Sequence, residues 1–288
     1  MKRARWLIGA FLRRLGDKLL VLAAQMTRTP ARLIRRGDSR DLYATQCGDL
    51  LWLNGTGYLD RQIIGTGSFE PESISAVHRL VRKGDLVLDV GANIGYYTVR
   101  FGKLVGAGGR VIAAEPTLHY RNILERNIVE NGLTNVRILD YGFSDRADTV
   151  RIDIGPSSAT MHSPAGFDRV LFQETITISR LDDVAESLGL QRLDFVKIDV
   201  DGHEPFVLRG AWAVLGKYSP IILMEISHLH YFQAGVFGWD FFSEIRDKGF
   251  RIYRETDFSE IDSLERFLRE CCNFDRSANI ILADRPLS

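Results

Sequence analysis

The stretch LVLDVGANIG, residues 86–95, decides the fold class of this 288-residue chain. Residues 86–90 form a continuous apolar run that contains a single acid, Asp89, and such a run predicts a strand buried on both faces. Gly91 and Gly95 follow it directly. Glycines at this place let the backbone turn sharply and let a ligand approach the main chain. The stretch therefore predicts a buried strand, a ligand-binding turn and the start of a helix.

Strand and helix patterns alternate along the chain on both sides of this turn. Further strands are predicted at 42–45, 50–53, 110–114, 136–139, 149–154, 175–178, 195–200, 221–226, 250–254 and 278–283. Helices are predicted at 70–82, from the glycine turn to about 104, and at 120–131, 181–188, 204–215 and 239–248, whereas 54–57 and 65–67 are predicted as loops. This alternation predicts an α/β fold with a parallel sheet covered by helices on both faces.

The composition is that of a globular protein, and its charges are unevenly distributed. The 37 basic and 37 acidic side chains cancel, which argues against a protein that coats nucleic acid. Residues 1–40 nevertheless contain eleven basic and two acidic side chains, a net charge of +9, so that the remaining 248 residues carry −9. Three cysteines, two of them adjacent, do not suggest a disulfide framework, and the sequence predicts a cytoplasmic location.

The basic segment 1–40 has an apolar stripe at helical spacing over about 5–26, which predicts an amphipathic helix. Its longest uncharged run is too short to cross a bilayer, and no small-residue cleavage site indicates a signal peptide. Two interpretations stay open: the helix rests on an anionic membrane surface, or it docks on the protein's own body or on a second subunit. Residues 30–36 are predicted to be a solvated linker.

The glycine turn does not match the G-x-G-x-x-G pattern of dinucleotide-binding folds, which disfavours an NAD-dependent oxidoreductase. Asp89, two residues before Gly91, would repel a pyrophosphate and favour a cationic ligand. Glu115 lies 20 residues after Gly95, the spacing at which an acid reaches ribose hydroxyls. A nucleoside that carries positive charge, such as S-adenosylmethionine, fits both acids.

With these residues the chain resembles the class I S-adenosylmethionine-dependent methyltransferases, and within them the FkbM family. The matching segments are LDVGANIG at 88–95, VIAAEP at 111–116 and DFVKIDVDGHE at 194–204. Asp201 departs from the family, which more often has Glu there. The resemblance implies a Rossmann-like sheet, mostly parallel with a late antiparallel strand. It also suggests three parts: a basic helical arm and linker (1–40), an accessory β region (41–69) and a methyltransferase domain (70–288).

The resemblance further implies the roles of the cofactor-binding residues. The methionine end of S-adenosylmethionine would be lined by Asp89, Gly91, Asn93 and Gly95, and Glu115 would hold its ribose. The segment after the third strand of the domain would flank the adenine; its residues are Gly142, Phe143, Ser144 and Asp145. Many relatives in the wider class place an acid where Gly142 stands, so Ser144 or Asp145 is the candidate that replaces it.

The acidic end of the strand at 195–200 supplies the catalytic candidates. Asp199, His203 and Glu204 are placed to take a proton from an acceptor hydroxyl or to orient it. Acids at this spacing also permit a divalent metal, but no complete ligand set is visible, and metal dependence is not favoured. His228, His230, Tyr231 and Phe232 follow the next strand and are candidates for the acceptor pocket; the loop 158–169 is a candidate lid.

The sequence thus predicts an S-adenosylmethionine-dependent methyltransferase. The family resemblance implies that it O-methylates a hydroxyl of a sugar, a polysaccharide precursor or a secondary metabolite. The alternative is a catalytically silent module that keeps the fold and docks to a membrane or partner through residues 1–40. The sequence does not indicate the oligomeric state.

Overall fold

The computed structural model describes residues 29–160, 170–274 and 276–287. The predicted amphipathic helix at 5–26 lies outside these ranges. Across the described ranges, every helix is too short or too polar to cross a membrane.

The described residues form fourteen strands and ten helices. In chain order these are β1 (Arg32–Arg35), β2 (Asp41–Ala44), β3 (Leu50–Leu53), α1 (Tyr58–Thr66), α2 (Pro71–Leu80), β4 (Leu86–Val90), α3 (Tyr96–Val105), β5 (Arg110–Ala114), α4 (Leu118–Glu130), β6 (Val136–Leu139), β7 (Gly142–Phe143), β8 (Asp148–Ile154), β9 (Ala159–Thr160), β10 (Phe172–Ser179), α5 (Leu181–Val184), β11 (Phe195–Ile198), α6 (Glu204–Arg209), α7 (Trp212–Tyr218), β12 (Ile221–Ile226), α8 (His228–Gln233), α9 (Gly238–Asp247), β13 (Arg251–Arg254), α10 (Leu264–Cys271) and β14 (Ala278–Ala283).

The central sheet has seven strands in the order β13-β14-β12-β11-β4-β5-β6. Neighbours from β12 to β6 pair in parallel, and β14 runs antiparallel to both β12 and β13. Side chains alternate between the faces of a strand: Leu88 and Val90 pack in one hydrophobic cluster, and Val87 packs in another. The prediction of a mostly parallel sheet with a late antiparallel strand and helices around it is confirmed.

The strands predicted at 149–154 and 175–178 do not join this sheet. They form a separate four-stranded sheet in the order β7-β10-β8-β9, in which β8 and β10 pair antiparallel over seven residue pairs. An apolar run alone indicates a strand but not its partner, because pairing depends on contacts distant in sequence. The small sheet places Ile152, Ile176 and Ile178 beside the carboxyl ends of β4 and β5.

A third sheet of β1, β2 and β3 covers one side of the body. Two expectations about this region were wrong: β1 occupies the segment predicted as a linker, and α1 includes Gly65 and Thr66, which were predicted as loop. The free edge of β3 is satisfied by two side-chain amides of α4 and its C-cap. Asn127 Oδ1 accepts from the N–H of Trp52 at 2.8 Å, and Asn131 accepts from and donates to the backbone of Leu50.

The helix predicted at 204–215 is two helices, α6 and α7, because Gly210 ends the first of them. A Cβ atom on Gly210 would lie 1.9 Å from the carbonyl oxygen of Ser144, so the chain passes this point only without a side chain. The predicted helix at 181–188 is shorter, and α8 and α10 were not predicted.

Replacing Gly210 with Ala should lower the free energy of unfolding by about 1–3 kcal/mol or more, because the added methyl group would overlap the Ser144 carbonyl. Gly216→Ala is the matched control: Gly216 lies within α7, and a Cβ there would meet no atom within 4 Å. That variant should gain about 0.5–1 kcal/mol, because Ala loses less backbone entropy in a helix. Urea denaturation of both variants checks the pair; equal effects would contradict the close approach at Gly210.

Stability should fall with rising pH because of Glu255, which directly follows β13 and accepts a hydrogen bond from Ser73. Burial raises the pKa of Glu255 to about 7 from the usual 4.5, so its protonated form is favoured in the folded protein. Its contribution is fully present below pH 4.5 and is lost as the pH rises through about 7, a change of about 3 kcal/mol. Glu255→Gln should flatten the unfolding free energy across this range, whereas Glu265→Gln, at a carboxylate with 88% of its side-chain area exposed, should not.

Candidate active site

Two adjoining cavities lie at the carboxyl ends of β4, β5, β11 and β12. The wide cavity has a volume of about 540 Å³ and the narrow one about 80 Å³. Both are lined by Gly91, Asn93, Asp199 and Asp201, so these four residues form the junction between them. Ligands of open α/β sheets bind at this edge, where the loops after neighbouring strands meet.

The glycine turn takes its shape from contacts with β11 and α4. Gly91 has a φ of +82°, and a Cβ there would lie 1.9 Å from the carbonyl oxygen of Asp199. Gly95 has a φ of +89°, and its Cβ would lie 2.5 Å from Leu124 on α4. Gly91 lines both cavities, whereas Gly95 is among the lining residues of neither. The first glycine therefore borders the ligand space, and the second lets the helix pack.

Asn93 lies between these glycines in the left-handed region, with a φ of +52°. Its backbone N–H donates to Glu115 at 2.8 Å, and its Nδ2 donates to the carbonyl of Ser157 at 2.8 Å. Because these partners belong to different loops, Asn93 fixes the turn to the end of β5 and to the segment after β8.

Asp89 is fully buried and lines the wide cavity. Its Oδ2 accepts from Thr98 at 2.6 Å, and its Oδ1 has no hydrogen-bond partner among the described residues. Burial raises the pKa of Asp89, and the nearby ammonium of Lys197 counteracts part of this. A buried carboxylate oxygen without a donor is costly, so this position suits a ligand that brings a donor.

Glu115 is also buried and lines the narrow cavity. Its Oε1 accepts from the N–H and hydroxyl of Thr117, at 2.9 and 2.6 Å, and its Oε2 accepts from Asn93. Burial raises the pKa of Glu115, while these donors lower it. Three of the about four acceptor positions of a carboxylate are thus occupied by the chain. A ribose would gain one hydrogen bond here directly and a second if the Thr117 hydroxyl turned away.

The predicted adenine segment divides into two pairs of residues. Gly142 and Phe143 line the narrow cavity together with apolar side chains of β8 and β10. Ser144 is buried behind them and lies 2.9 Å from His203 Nε2, and Asp145 pairs with Arg146 at 3.3 Å near the surface. In this arrangement neither Ser144 nor Asp145 is among the residues that line a cavity.

The three predicted catalytic residues lie in three different places. Asp199 is at the junction, with 29% of its side-chain area exposed. His203 lines the narrow cavity and stacks on Phe206 at 4.7 Å. Glu204 is fully buried and lines neither cavity, and its Oε1 accepts from the N–H groups of Val200 and Gly202. The structure therefore brings only Asp199 to the place where the two cavities meet.

Glu204 holds the loop after β11 in a strained shape. Asp201 in this loop has a φ of +49°, and Gly202 passes so close to His230 that a Cβ would lie 2.2 Å from it. Burial raises the pKa of Glu204 to about 7, although the backbone donors oppose this. Burial and the neighbouring Asp199 raise the pKa of Asp201 well above its usual value.

Lys197 is a site residue whose role was missed in the sequence. It lies on β11, it is 4% exposed, and its Nζ donates to Asp199 Oδ2 at 2.7 Å and lies 4.4 Å from the centre of the Tyr97 ring. Burial lowers the pKa of Lys197, but Asp199, Asp89 and Glu70 raise it more, so that the net shift is upward. A lysine within an otherwise apolar buried strand was the signal available in the sequence.

Glu70 and Glu225 were also missed, and both line the wide cavity. Glu225 is the penultimate residue of β12. Because β12 pairs in parallel with β11, Glu225 lies next to the end of β11. Glu70 precedes α2 and reaches the cavity through contacts distant in sequence, which no local pattern indicates.

The residues that were predicted to form the acceptor pocket lie in different environments. His230 lines the wide cavity, and its Nδ1 lies 2.6 Å from the hydroxyl of Ser227. Tyr231 is buried and donates to the backbone of Glu225, His228 packs against Phe274, and Phe232 is exposed. Of the candidate lid, residues 158–160 are described and 161–169 lie outside the described ranges; Ser158 lines the wide cavity.

In the described part of the chain, one cluster of three carboxylates lies close enough together to hold a metal ion. Asp199, Glu204 and Glu225 each offer an oxygen within 4.8 Å of the others. The ammonium of Lys197 already pairs with Asp199 at 2.7 Å. Asp199 thus already has a positively charged partner that belongs to the chain.

Comparison with curated proteins finds distant relatives among methyltransferases. The hexuronic acid methyltransferase AglP of Haloferax volcanii is 26% identical over 156 residues, which cover 54% of this chain and 61% of that protein. The methyltransferase sdnD of Sordaria araneosa is 26% identical over 154 residues, which cover 43% of this chain and 59% of sdnD. This chain thus spans about three fifths of the length of these two relatives.

A crystal structure of methyltransferase FkbM from Methylobacillus flagellatus KT aligns with 73% of this chain and 50% of that one, at 14% identity and a TM-score of 0.40. Residues 89–271 match the methyltransferase FkbM domain. The match includes the glycine turn, both acidic strand ends and the small sheet, and it covers more than half of the chain. The chain therefore belongs to the FkbM family of methyltransferases.

Proposed function

We propose that the protein transfers a methyl group from S-adenosylmethionine to a hydroxyl of a small-molecule or saccharide acceptor. The observation that carries the proposal is the junction of two cavities of different character. The narrow cavity is mostly apolar and is also lined by Glu115, and the wide cavity is lined by carboxylates and aromatic rings. Where two such cavities meet, a cofactor that reaches into both can lie beside a second substrate.

The residues present fit S-adenosylmethionine. The apolar walls of the narrow cavity suit an adenine ring. Glu115, which lines the same cavity, suits a ribose hydroxyl. Asp89 Oδ1, buried and without a donor of its own, suits the ammonium group of the methionine part. When bound, the cofactor supplies a methyl group that its positively charged sulfur activates for attack by an oxygen.

The chain's own contribution is to place the acceptor and to receive its proton. Asp199 is the proposed proton acceptor, because it lies at the junction and Lys197 keeps a positive charge beside it. Glu204 is proposed as a positioning residue, since it holds the backbone of the loop that carries Asp201. His203 is proposed to border the adenosine rather than the acceptor, because it lines only the narrow cavity.

Replacing Glu115 with Gln should weaken the binding of S-adenosylhomocysteine by about 10- to 100-fold. The variant loses a charged acceptor, worth about 1.5–3 kcal/mol, and its NH₂ group faces a donor of the chain. Isothermal titration calorimetry measures the affinity, and Glu125→Gln, at an exposed position on α4, is the control. Unchanged affinity in the Glu115 variant would defeat the ribose assignment.

Replacing Asp199 with Asn should lower methyl transfer by about 10²- to 10⁴-fold, the usual contribution of a proton acceptor. The measurement is the incorporation of label from methyl-labelled S-adenosylmethionine into saccharide and metabolite fractions, with Asp262→Asn, at an exposed site, as the control. Calorimetry with S-adenosylhomocysteine separates a loss of cofactor binding from a loss of proton transfer. Wild-type protein that binds the cofactor and labels no fraction would favour the alternative of a silent binding module.

A further inference from the structure

The wide cavity continues beyond the junction, and some residues of this extension come from outside the matched family domain. Lining residues that the narrow cavity does not share include Tyr58, Phe69, Glu70, Tyr96, Tyr97 and Glu225. The first three precede residue 89, where the family match begins. Residues that precede the matched domain therefore help to line this end of the cavity.

This cavity carries far more negative than positive groups. Its carboxyl side chains are Glu70, Asp89, Asp153, Asp199, Asp201 and Glu225. Its basic side chains, among the described residues, are Lys197 and Arg61. Lys197 is engaged by Asp199 and by the ring of Tyr97. Arg61 is exposed and donates to the carbonyl of Thr56 at 2.5 Å, so Lys197 is the buried cation among the described residues that line this cavity.

Glu70 is held in the cavity at a conformational cost. Its φ of +45° lies in the left-handed region, which costs a non-glycine residue about 1–3 kcal/mol and is found mainly at functional sites. Tyr97 Oη donates to Glu70 Oε2 at 2.7 Å and fixes the side chain, and the residue keeps part of its surface exposed. Asn93 and Asp201, two of the four junction residues, also have a positive φ.

Glu225 supplies the second carboxylate that the cofactor turn does not use. It is half-buried at the end of β12. Burial raises the pKa of Glu225 well above its usual value, and Asp199, Glu204 and Asp201 raise it further. Burial and Asp199 likewise raise the pKa of Glu70. Both shifts have the same physical meaning: burial, and after it the neighbouring acids, disfavour a negative charge at these two positions.

Aromatic rings also line the extension. Tyr58, Phe69, Tyr96 and Tyr97 follow one another edge to face, with ring centres 6.3, 6.0 and 5.4 Å apart. Aromatic faces pack against the apolar faces of sugar rings and attract ammonium groups. Rings and carboxyl groups in one cavity form a site for a compound that carries hydroxyl or amino groups.

We propose that the acceptor end of this cavity selects an uncharged or amine-bearing polyhydroxy compound and rejects one that carries a carboxylate, through Glu70 and Glu225. The inference rests on the proposed function, since it names the class of acceptor for that site. A ligand carboxylate would add a negative charge to a buried cavity that is lined by six carboxyl groups and two basic side chains, and an uncompensated like charge there costs several kcal/mol. An ammonium would be attracted to both, and a hydroxyl would donate to either. The acceptor class therefore differs from the hexuronic acid named for the AglP relative.

The test uses three methyl glucosides that differ only at C6: the 6-amino-6-deoxy compound, the parent glucoside and the glucuronide. Each is titrated into the wild-type protein saturated with S-adenosylhomocysteine, which has no net charge, and binding is followed by ligand-detected NMR. We expect the amine to bind at least as tightly as the neutral sugar, and the glucuronide to bind at least about 10-fold more weakly, or not at all.

Glu70→Gln and Glu225→Gln should each weaken amine binding by about 3- to 10-fold and narrow its advantage over the glucuronide. Glu186→Gln, at an exposed position after α5, should leave the order unchanged. The titrations are run with a chelator and again with Mg²⁺. Four results would overturn the proposal: equal binding of glucuronide and amine, a preference that both variants retain, tight glucuronide binding that Mg²⁺ restores, or no binding of any of the three. A protein that does not bind S-adenosylhomocysteine contradicts the proposed function instead.

Discussion

The close approach of Gly91 to the carbonyl of Asp199 is the constraint on which the rest of the site depends. It brings the turn after β4 against the end of β11, and a side chain at Gly91 would occupy the position of that carbonyl oxygen. Because the two strand ends meet there, the same four residues border the narrow and the wide cavity. The glycine turn and the acidic strand end consequently meet, with one cavity on either side of the contact.

Electrostatics in this site is governed by one buried lysine among several carboxylates. A lone charge in the interior is costly, and a buried pair is tolerated only when its geometry and hydrogen bonds are good. Lys197 meets this condition through its 2.7 Å contact with Asp199 and its position over the Tyr97 ring. Burial and the neighbouring Asp199 raise the pKa values of Glu70 and Glu225. The fold therefore keeps one carboxylate paired and leaves others available to a ligand.

Backbone strain is concentrated where these groups meet. Of the non-glycine residues with positive φ in the described ranges, Glu70, Asn93 and Asp201 line the wide cavity, whereas Ser219 and Phe258 lie elsewhere. Strained conformations persist where surrounding contacts hold them. Here the contacts are Tyr97 for Glu70, and Glu115 and Ser157 for Asn93. Stability elsewhere in the fold is thus used to keep three polar side chains in place.

The sequence by itself determined the class of fold and the local motifs that line the two cavities. A buried strand, a glycine turn and an acid at the end of each of two strands are local patterns, because strand periodicity and backbone freedom depend on neighbouring residues. It also determined the family, since Asp89, Gly91 and Glu115 lie in contiguous motifs. The tertiary structure alone decided that β8 and β10 form a second sheet and that Glu204 lies behind the site. It also brought Glu70 and Tyr58 into the same cavity as Glu225. Such arrangements join residues that are far apart in the chain, and they leave no periodic signal in the sequence.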